Sequence, residues 1–111
     1  MEFDTITQKK LNIAINEYIQ SMEYSADFAG SRHNLANVYA SLGEFEKAEK
    51  NYLLALQIDN LFYPAKTNLA MLYNSLGNNA KAEVLFKELI IQSPEEAQTY
   101  YSLGLLQAEM Q

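Results

Sequence analysis

The sequence predicts an all-α solenoid of antiparallel helix hairpins, with about five helices, and an internal repeat is the main reason. The segment NLANVYASLGEFEKAE at 34–49 returns 34 residues later as NLAMLYNSLGNNAKAE at 68–83, with ten of the sixteen positions identical. A fixed period of this size is typical of stacked helical hairpins. A second observation favours the same fold class, because apolar residues keep helical spacing on both sides of the repeat.

The first predicted helix spans 5–24, where apolar residues recur at spacings of three and four and therefore share one face. That face consists of Leu11, Ala14, Ile15, Tyr18, Ile19 and Met22. Ala14 and Tyr18 fall 34 positions before an alanine and a tyrosine of the repeat, so the helix is in register with the second half of the repeat. We therefore interpret it as the trailing helix of a partial repeat.

Two whole repeats follow at 29–62 and 63–96, and each is predicted to be a hairpin of two helices. Gly43 and Gly77 separate the paired helices, because glycine adopts the left-handed conformation after a helix at the least cost. In the first repeat the helices are expected at 31–42 and 44–58. The second repeat follows the same plan, and Pro64 suits its first helical turn.

A last helix is predicted over 94–110, with Ser93 as its cap and Glu96 placed to close a capping box. Four of its residues are in register with the first helix of each repeat: Tyr100, Leu103, Gly104 and Leu106. We interpret 97–111 as the leading helix of a further partial repeat. Together the segments predict a single domain over 1–111.

Composition excludes several classes of function. The net charge is -6 and the pI is about 4.6, which disfavours nucleic-acid binding because the phosphate backbone requires lysine and arginine. No apolar run approaches the roughly 20 residues of a membrane helix, so membrane insertion is not expected. The N-terminal residues lack the features of a signal peptide, which favours the cytoplasm slightly and leaves the compartment open. With no cysteine, the chain has no thiol nucleophile or cysteine metal ligand.

No residue pattern indicates catalysis. His33 is the only histidine, so a histidine metal pair is not available, and no serine–histidine or cysteine–histidine dyad with partners of the usual type is expected. We interpret His33 as a polar groove residue on a helix surface. The clustered carboxylates lie in early helical turns, where they stabilise the helix dipole: Glu44, Glu46, Glu49, Glu95 and Glu96. The four glycines are scattered and form no phosphate loop. We therefore predict no enzyme activity, no cofactor and no metal site.

The repeat resembles the tetratricopeptide repeat. The resemblance is carried by Leu35-Ala36-x2-Tyr39, Gly43 and Ala48-x3-Tyr52, and again by Leu69-Ala70-x2-Tyr73, Gly77 and Ala82-x3-Phe86. It implies a right-handed superhelical solenoid that binds proteins. The sequence departs from the family where Arg32 and Lys66 replace a frequent tryptophan and Asn60 replaces a closing proline.

The resemblance also implies where a partner would bind, because in this family the first helix of each repeat lines a concave groove. The corresponding residues are His33, Asn34, Asn37, Ser41, Thr67, Asn68, Met71, Asn74, Ser75, Gln98, Tyr101, Ser102 and Leu105. This groove is expected to be polar and nearly uncharged, and its asparagines suit the backbone of an extended peptide. Polar residues on an exposed helix face also need no ligand, so both interpretations stay open.

Some family members bind a peptide's C-terminal carboxylate through lysines, an arginine and two asparagines. Asn37 and Asn68 match the two asparagines, but His33, Gln98 and Ser102 stand where the cations would be. Because charge-assisted hydrogen bonds supply most of the attraction for a carboxylate, we predict that this chain does not clamp such a tail.

Three hypotheses about function remain. The first is a non-catalytic scaffold that binds a peptide or protein segment in the groove. The second is an assembly module that self-associates, or continues a longer repeat array, through end helices whose apolar residues are uncovered: Tyr100, Leu105, Leu106 and Met110 at the last helix. The third is an accessory repeat segment of a larger enzyme or electron-transfer protein, which rests on analogy alone.

Overall fold

The computed structural model describes residues 5–24 and 28–110, and this part of the chain contains six α-helices and no strand. The helices are α1 (Thr5–Tyr24), α2 (Ala29–Ser41), α3 (Phe45–Ile58), α4 (Tyr63–Ser75), α5 (Asn79–Gln92) and α6 (Ala97–Glu109). The all-α prediction is confirmed, but the expected count of about five was too low. Two hairpins supply four helices, and a single helix on each side of them makes six.

Both hairpins turn at glycine, as predicted. Gly43 and Gly77 have φ angles of 76° and 81°, in the left-handed region. Around Gly43, the N–H of Glu44 donates to the carbonyl of Tyr39 at 2.9 Å and the N–H of Gly43 donates to Ala40 at 3.1 Å. These are the two hydrogen bonds of a Schellman motif, which satisfy carbonyls at the end of α2. The second hairpin repeats both bonds after α4.

Small residues let the helices of each hairpin approach closely. Ala36 and Ala48 of the first hairpin are fully buried, as are Ala70 and Ala82 of the second. Large side chains fill the remaining space around them: Leu35, Leu69, Leu89 and Leu106 are buried almost completely, together with the rings of Tyr52 and Phe86. Each such side chain contributes about 1.5–3 kcal/mol by leaving water. The core therefore runs along the stack of helices, in a molecule of 46 × 33 × 21 Å.

The predicted buried face of α1 is only partly buried. Ile15 and Ile19 are half-buried and pack towards α2, but Leu11, Ala14 and Tyr18 are exposed. In α3 and α5 the residues equivalent to Ala14 and Tyr18 are buried in the core of their own hairpin, and no described helix lies beside α1 in that position. The side chain of Met22, which was assigned to the same face, lies outside the described residues.

The predicted capping box before the last helix is wrong. α6 begins at Ala97, its N-cap residue is Glu96, and no side chain caps it. Ser93 instead ends α5, where its N–H donates to the carbonyl of Leu89 at 2.8 Å. The chain then turns, with the N–H of Glu96 bonded to the carbonyl of Ser93 at 3.2 Å. The other predicted helix boundaries agree within two residues.

The packing of α6 also corrects one expectation about the last helix. Leu106 was predicted to be uncovered, but it is fully buried because α6 packs on α5. Thr99 is buried as well, and its Oγ1 lies 3.1 Å from the hydroxyl of Tyr63, which joins α6 to α4. Leu105 and Met110 are exposed, as is Tyr100.

Cations occupy the two positions where the resemblance leads one to expect tryptophan. Lys66 is buried, with its Nζ 3.5 Å from Oε2 of Glu88 and donating to Oε1 of Gln92 at 3.3 Å. Arg32 donates from Nη1 to Oδ1 of Asn51 at 3.2 Å. Each cation therefore links the first helix of its hairpin to the second by polar contacts, so the missing tryptophan does not leave the hairpins unlinked. None of the helices in the described ranges combines the length and apolarity needed to span a bilayer.

Candidate functional site

A shallow depression of about 500 Å³ lies between the first helices of the two hairpins, α2 and α4. Residues of α2 and α4 line two of its sides, because these two helices are stacked side by side, and Phe45 and Tyr52 of α3 also border it. The lining residues are Asn37, Ala40, Ser41, Phe45, Tyr52, Asn68, Met71, Leu72 and Ser75. Five of them were predicted from the sequence to line a groove: Asn37, Ser41, Asn68, Met71 and Ser75.

Four polar side chains meet beside this depression in one hydrogen-bond network. Asn68 Nδ2 lies 2.7 Å from Nε2 of His33 and donates to Oδ1 of Asn37 at 3.3 Å. The same Oδ1 accepts a hydrogen bond from the hydroxyl of Tyr52. Asn37 Nδ2 also approaches Nε2 of His33, at 3.4 Å. The network therefore joins α2, α3 and α4 and fixes the two asparagine amides relative to each other.

The surroundings of His33 favour its neutral form. An amide NH₂ group donates, so the Nε2 atom that faces Asn37 and Asn68 accepts in the tautomer whose proton is on Nδ1. Burial lowers the pKa of His33 below its ordinary value of 6.5, although a hydrogen bond with Asn34 acts in the opposite direction. The ring also packs against the rings of Tyr52 and Phe62, at centroid distances of 6.0 and 5.7 Å. At neutral pH the imidazole is therefore uncharged.

The two serines of the depression are engaged by their own helices. The hydroxyl of Ser41 donates to the carbonyl of Asn37 at 3.0 Å, and that of Ser75 donates to the carbonyl of Leu72 at 2.9 Å. Each hydroxyl hydrogen is thereby used, whereas the oxygen lone pairs remain. The serines can therefore accept hydrogen bonds from a ligand.

Apart from Asn34, which hydrogen-bonds His33, the remaining predicted groove residues enter neither this network nor this depression among the described residues. Asn34 is exposed on α2, and Thr67 and Asn74 are half-buried on α4 with buried oxygens that bond to no other described residue. The α6 residues Gln98, Tyr101, Ser102 and Leu105 do not border the depression among the described residues, and all but Ser102 are exposed. The depression is thus built by the two hairpins alone.

Sequence reasoning missed two aromatic residues of the site, Tyr52 and Phe45. Neither belongs to the predicted groove residues, yet both line the depression, and the hydroxyl of Tyr52 reaches Asn37. A signal was present for Tyr52, because the equivalent position of the second repeat is Phe86, which fills the same space without a hydroxyl. A buried tyrosine where phenylalanine suffices indicates a polar partner for its hydroxyl.

Within the described ranges, the residues that line the depression are all uncharged. The network also leaves part of its capacity unused: Oδ1 of Asn68 and one amide hydrogen of Asn37 enter none of its bonds. Beside these amides, Met71 is 55% exposed and Phe45 is 43% exposed, so apolar surface flanks the polar centre. One acceptor, one donor and adjacent apolar surface are the complement of a peptide unit with a side chain.

A second groove, of about 230 Å³ and lined mostly by apolar residues, lies between α3, α4 and α5. It is lined by Leu53, Leu56, Leu69, Tyr73, Lys81, Val84 and Leu85. Burial, and then a hydrogen bond and the charge of Glu49, raise the pKa of Tyr73 to about 12, so its hydroxyl stays protonated. No asparagine or serine is among its described lining residues, so it has few hydrogen-bonding groups that could orient a peptide backbone.

Several solved structures share the fold over nearly the whole chain. The Arabidopsis OM64 TPR domain is 21% identical with a TM-score of 0.76, and the match covers 94% of this chain and 86% of that one. The second TPR domain of human RPAP3, in complex with the HSP70 peptide SGPTIEEVD, is 22% identical with a TM-score of 0.73, covering 92% and 85%. The first TPR of Spaghetti (RPAP3), bound to the HSP90 peptide SRMEEVD, is 20% identical with a TM-score of 0.75, covering 95% and 85%.

The sequence itself matches two family models, both described as tetratricopeptide repeat, at 29–60 and 65–91. No curated protein matches it. The two matches together cover more than half of the chain, and they coincide with the two hairpins that carry the glycine turns. The chain therefore belongs to the tetratricopeptide repeat family.

Proposed function

We propose that this chain is a non-catalytic scaffold that binds an extended peptide or protein segment in the depression between α2 and α4. Tetratricopeptide repeats generally serve as protein-interaction modules, and two of the structural neighbours hold peptides. The observation that supports this site most directly is the pairing of Asn37 with Asn68. Their amides are held in place by His33 and Tyr52, so little side-chain entropy is lost when a ligand binds.

The proposed contact is to the peptide backbone. Oδ1 of Asn68 would accept from a peptide N–H, and the second amide hydrogen of Asn37 would be donated to a peptide carbonyl. The oxygens of Ser41 and Ser75 provide further acceptors at one end of the depression. A ligand side chain would pack between Met71 and the other apolar residues, which would give the site its preference among sequences.

The proposal treats the chain over 1–111 as one binding unit, with structural repeats at 29–62 and 63–96 and single flanking helices. It assigns no role in nucleic-acid binding, because the net charge of -6 repels a phosphate backbone. It assigns no catalytic residue either. In the described part of the chain His33, the one histidine, hydrogen-bonds to asparagine side chains and to no serine or threonine hydroxyl.

The proposal is tested by selecting peptides from a displayed random library on the wild-type chain and measuring their affinity by calorimetry. We expect the double variant Asn37→Ala/Asn68→Ala to bind the selected peptides at least about tenfold more weakly, which corresponds to 1.4 kcal/mol. The matched control is Asn60→Ala/Asn78→Ala, which removes two exposed asparagines outside the depression. Equal affinity for wild type and the Asn37/Asn68 variant, with both folded by circular dichroism, would refute the proposed site.

A further inference from the structure

We propose that this chain self-associates head to tail, with α6 of one copy and α1 of the next packing together as the two helices of a repeat. The proposal concerns faces of α1 and α6 that lie outside the depression, so it does not depend on the proposed peptide site. It rests on a comparison of equivalent positions, which the 34-residue period allows.

α1 exposes the face that second helices of this chain bury. Ala14 occupies the position of Ala48 and Ala82, both of which are fully buried, yet Ala14 is exposed. Tyr18 is 45% exposed, whereas Tyr52 at the equivalent position of α3 is 3% exposed. In α3 this face packs on the first helix of its own hairpin, so α1 presents a surface shaped to receive a first helix.

α6 exposes the complementary face. Gly104 occupies the position of Ala36 and Ala70, which are fully buried, but a Cβ added at Gly104 would meet no atom within 4 Å. Tyr100 is 47% exposed, whereas Lys66 at the equivalent position of α4 is 4% exposed. The small residue that permits close approach and the large residue beside it are both present, and among the described residues no second helix packs on them.

The two faces fit each other better than either fits itself. Within each hairpin a first helix with a small residue at its centre packs on a second helix with an alanine followed by an aromatic ring, and α6 and α1 have these two patterns respectively. Two copies of α1, or two copies of α6, would place identical faces against each other, and neither pair would combine the two patterns found within a hairpin. The expected interface is therefore heterologous, which extends head to tail or closes into a ring.

Charge supports the same pairing. In the hairpins of this chain, the end of the first helix adjoins the start of the second. Repeating that arrangement between copies brings Glu109, at the end of α6, near Lys9 and Lys10, in the early turns of α1. All three side chains belong to exposed residues and carry opposite charges across the contact. A parallel placement of α1 on α6 would forfeit this attraction.

Sedimentation velocity of the full chain over a wide concentration range provides the test. We expect the mass to rise with concentration from that of the 12.6 kDa monomer towards its multiples. Ala14→Arg and Gly104→Arg should each remain at 12.6 kDa, because each places a bulky cation at the centre of one face. Both positions are exposed, so neither substitution should unfold the chain, which circular dichroism verifies. Gln20→Arg and Gln98→Arg add the same charge on other faces of α1 and α6 and should associate as wild type does.

Mixing the two blocked variants distinguishes the proposed geometry from any symmetric one. Ala14→Arg keeps an intact α6 face and Gly104→Arg keeps an intact α1 face, so an equimolar mixture should form a dimer and nothing larger. A wild-type chain that stays at 12.6 kDa at every concentration would overturn the proposal. So would association that only one of the two variants abolishes, or a mixture that remains monomeric.

Discussion

The hydroxyl of Tyr52 donates a hydrogen bond to Oδ1 of Asn37, which connects a core side chain of α3 to a polar residue of the proposed binding surface. The ring of Tyr52 is 3% exposed and packs as the ring of Phe86 does in the second hairpin. Tyr52 also lines the depression. The position of Asn37, and through it that of Asn68, therefore depends on the packing of the first hairpin.

We expect Tyr52→Phe to lower the free energy of unfolding by about 1 kcal/mol, because it removes one partly buried hydrogen bond and preserves the ring. Asn37 Oδ1 keeps its bond from Asn68, so the loss should not be larger. Urea denaturation at low protein concentration measures the change. Tyr18→Phe is the matched control, since Tyr18 is the equivalent exposed tyrosine of α1, and it should change stability by less than about 0.5 kcal/mol. An equal loss in both variants would show that the Tyr52 hydroxyl has no special role.

The hairpins could be predicted from the sequence because their determinants are local and periodic. Leu35, Ala36 and Gly43 recur with a 34-residue period, and each acts through its size or its backbone conformation. The hydrogen bond from the Tyr52 hydroxyl to Asn37 could not be predicted in the same way. An aromatic residue at a core position is assigned by its ring, whereas the partner of its hydroxyl depends on how closely α2 and α3 pack.

The candidate site was predicted only in part, and the reason is related. Asn34 and Asn68 occupy equivalent positions, but their contacts differ. Asn68 links two hairpins because it faces His33 and Asn37 of the preceding one, whereas Asn34 bonds to its chain neighbour His33. Asn34 faces no first helix of an earlier repeat among the described residues. A recurring residue therefore identified the correct face, but its role depends on a neighbouring repeat that sequence spacing does not specify.

Gly77→Ala should destabilise the chain by about 1 kcal/mol, because its φ of 81° is strained for a residue with a Cβ. No atom lies within 4 Å of the added Cβ, so the effect comes from the backbone and not from a clash. Gly104→Ala is the matched control, since it makes the same chemical change within α6 and also meets no atom. It should stabilise the chain by up to about 1 kcal/mol through helix propensity. Thermal unfolding measures the change in stability of both variants. A stability change of the same sign in both would contradict this explanation.

Stability should decrease as the pH falls below 6.5, because the folded state lowers the pKa of His33. Between 6.5 and the lower pKa of the folded state, the unfolded chain binds a proton that the folded chain does not, so the unfolded state is favoured. Above 6.5 the imidazole is neutral in both states and the contribution is complete. Unfolding free energies between pH about 7.5 and about 5.5, above the usual carboxylate pKa of about 4, isolate this group.

The control for this pH dependence is His33→Gln, which keeps a side-chain acceptor for the amide of Asn68 but does not titrate. We expect the stability of this variant to change less with pH over that interval than the stability of wild type. A wild-type stability that rises as the pH falls would contradict the lowered pKa of His33.

A peptide that ends in a free carboxylate should not bind with micromolar affinity at neutral pH. The described residues that line the depression are all uncharged, and the neighbouring His33 is uncharged because burial lowers its pKa. The peptides SGPTIEEVD and SRMEEVD, which are held by two structural neighbours, are suitable probes for calorimetry. Micromolar binding that disappears when the C-terminus is amidated would contradict this prediction.

Site-directed photo-crosslinking tests most directly whether the ligand occupies the depression between α2 and α4. A photoreactive residue is introduced at Met71, inside the depression, or at Val84, in the apolar groove, which are 55% and 57% exposed in the wild-type chain. Each labelled chain is irradiated with a library-selected peptide, with and without excess unlabelled peptide. We predict a competable adduct at position 71 and none at position 84. An adduct at position 84 with none at position 71 would contradict the account.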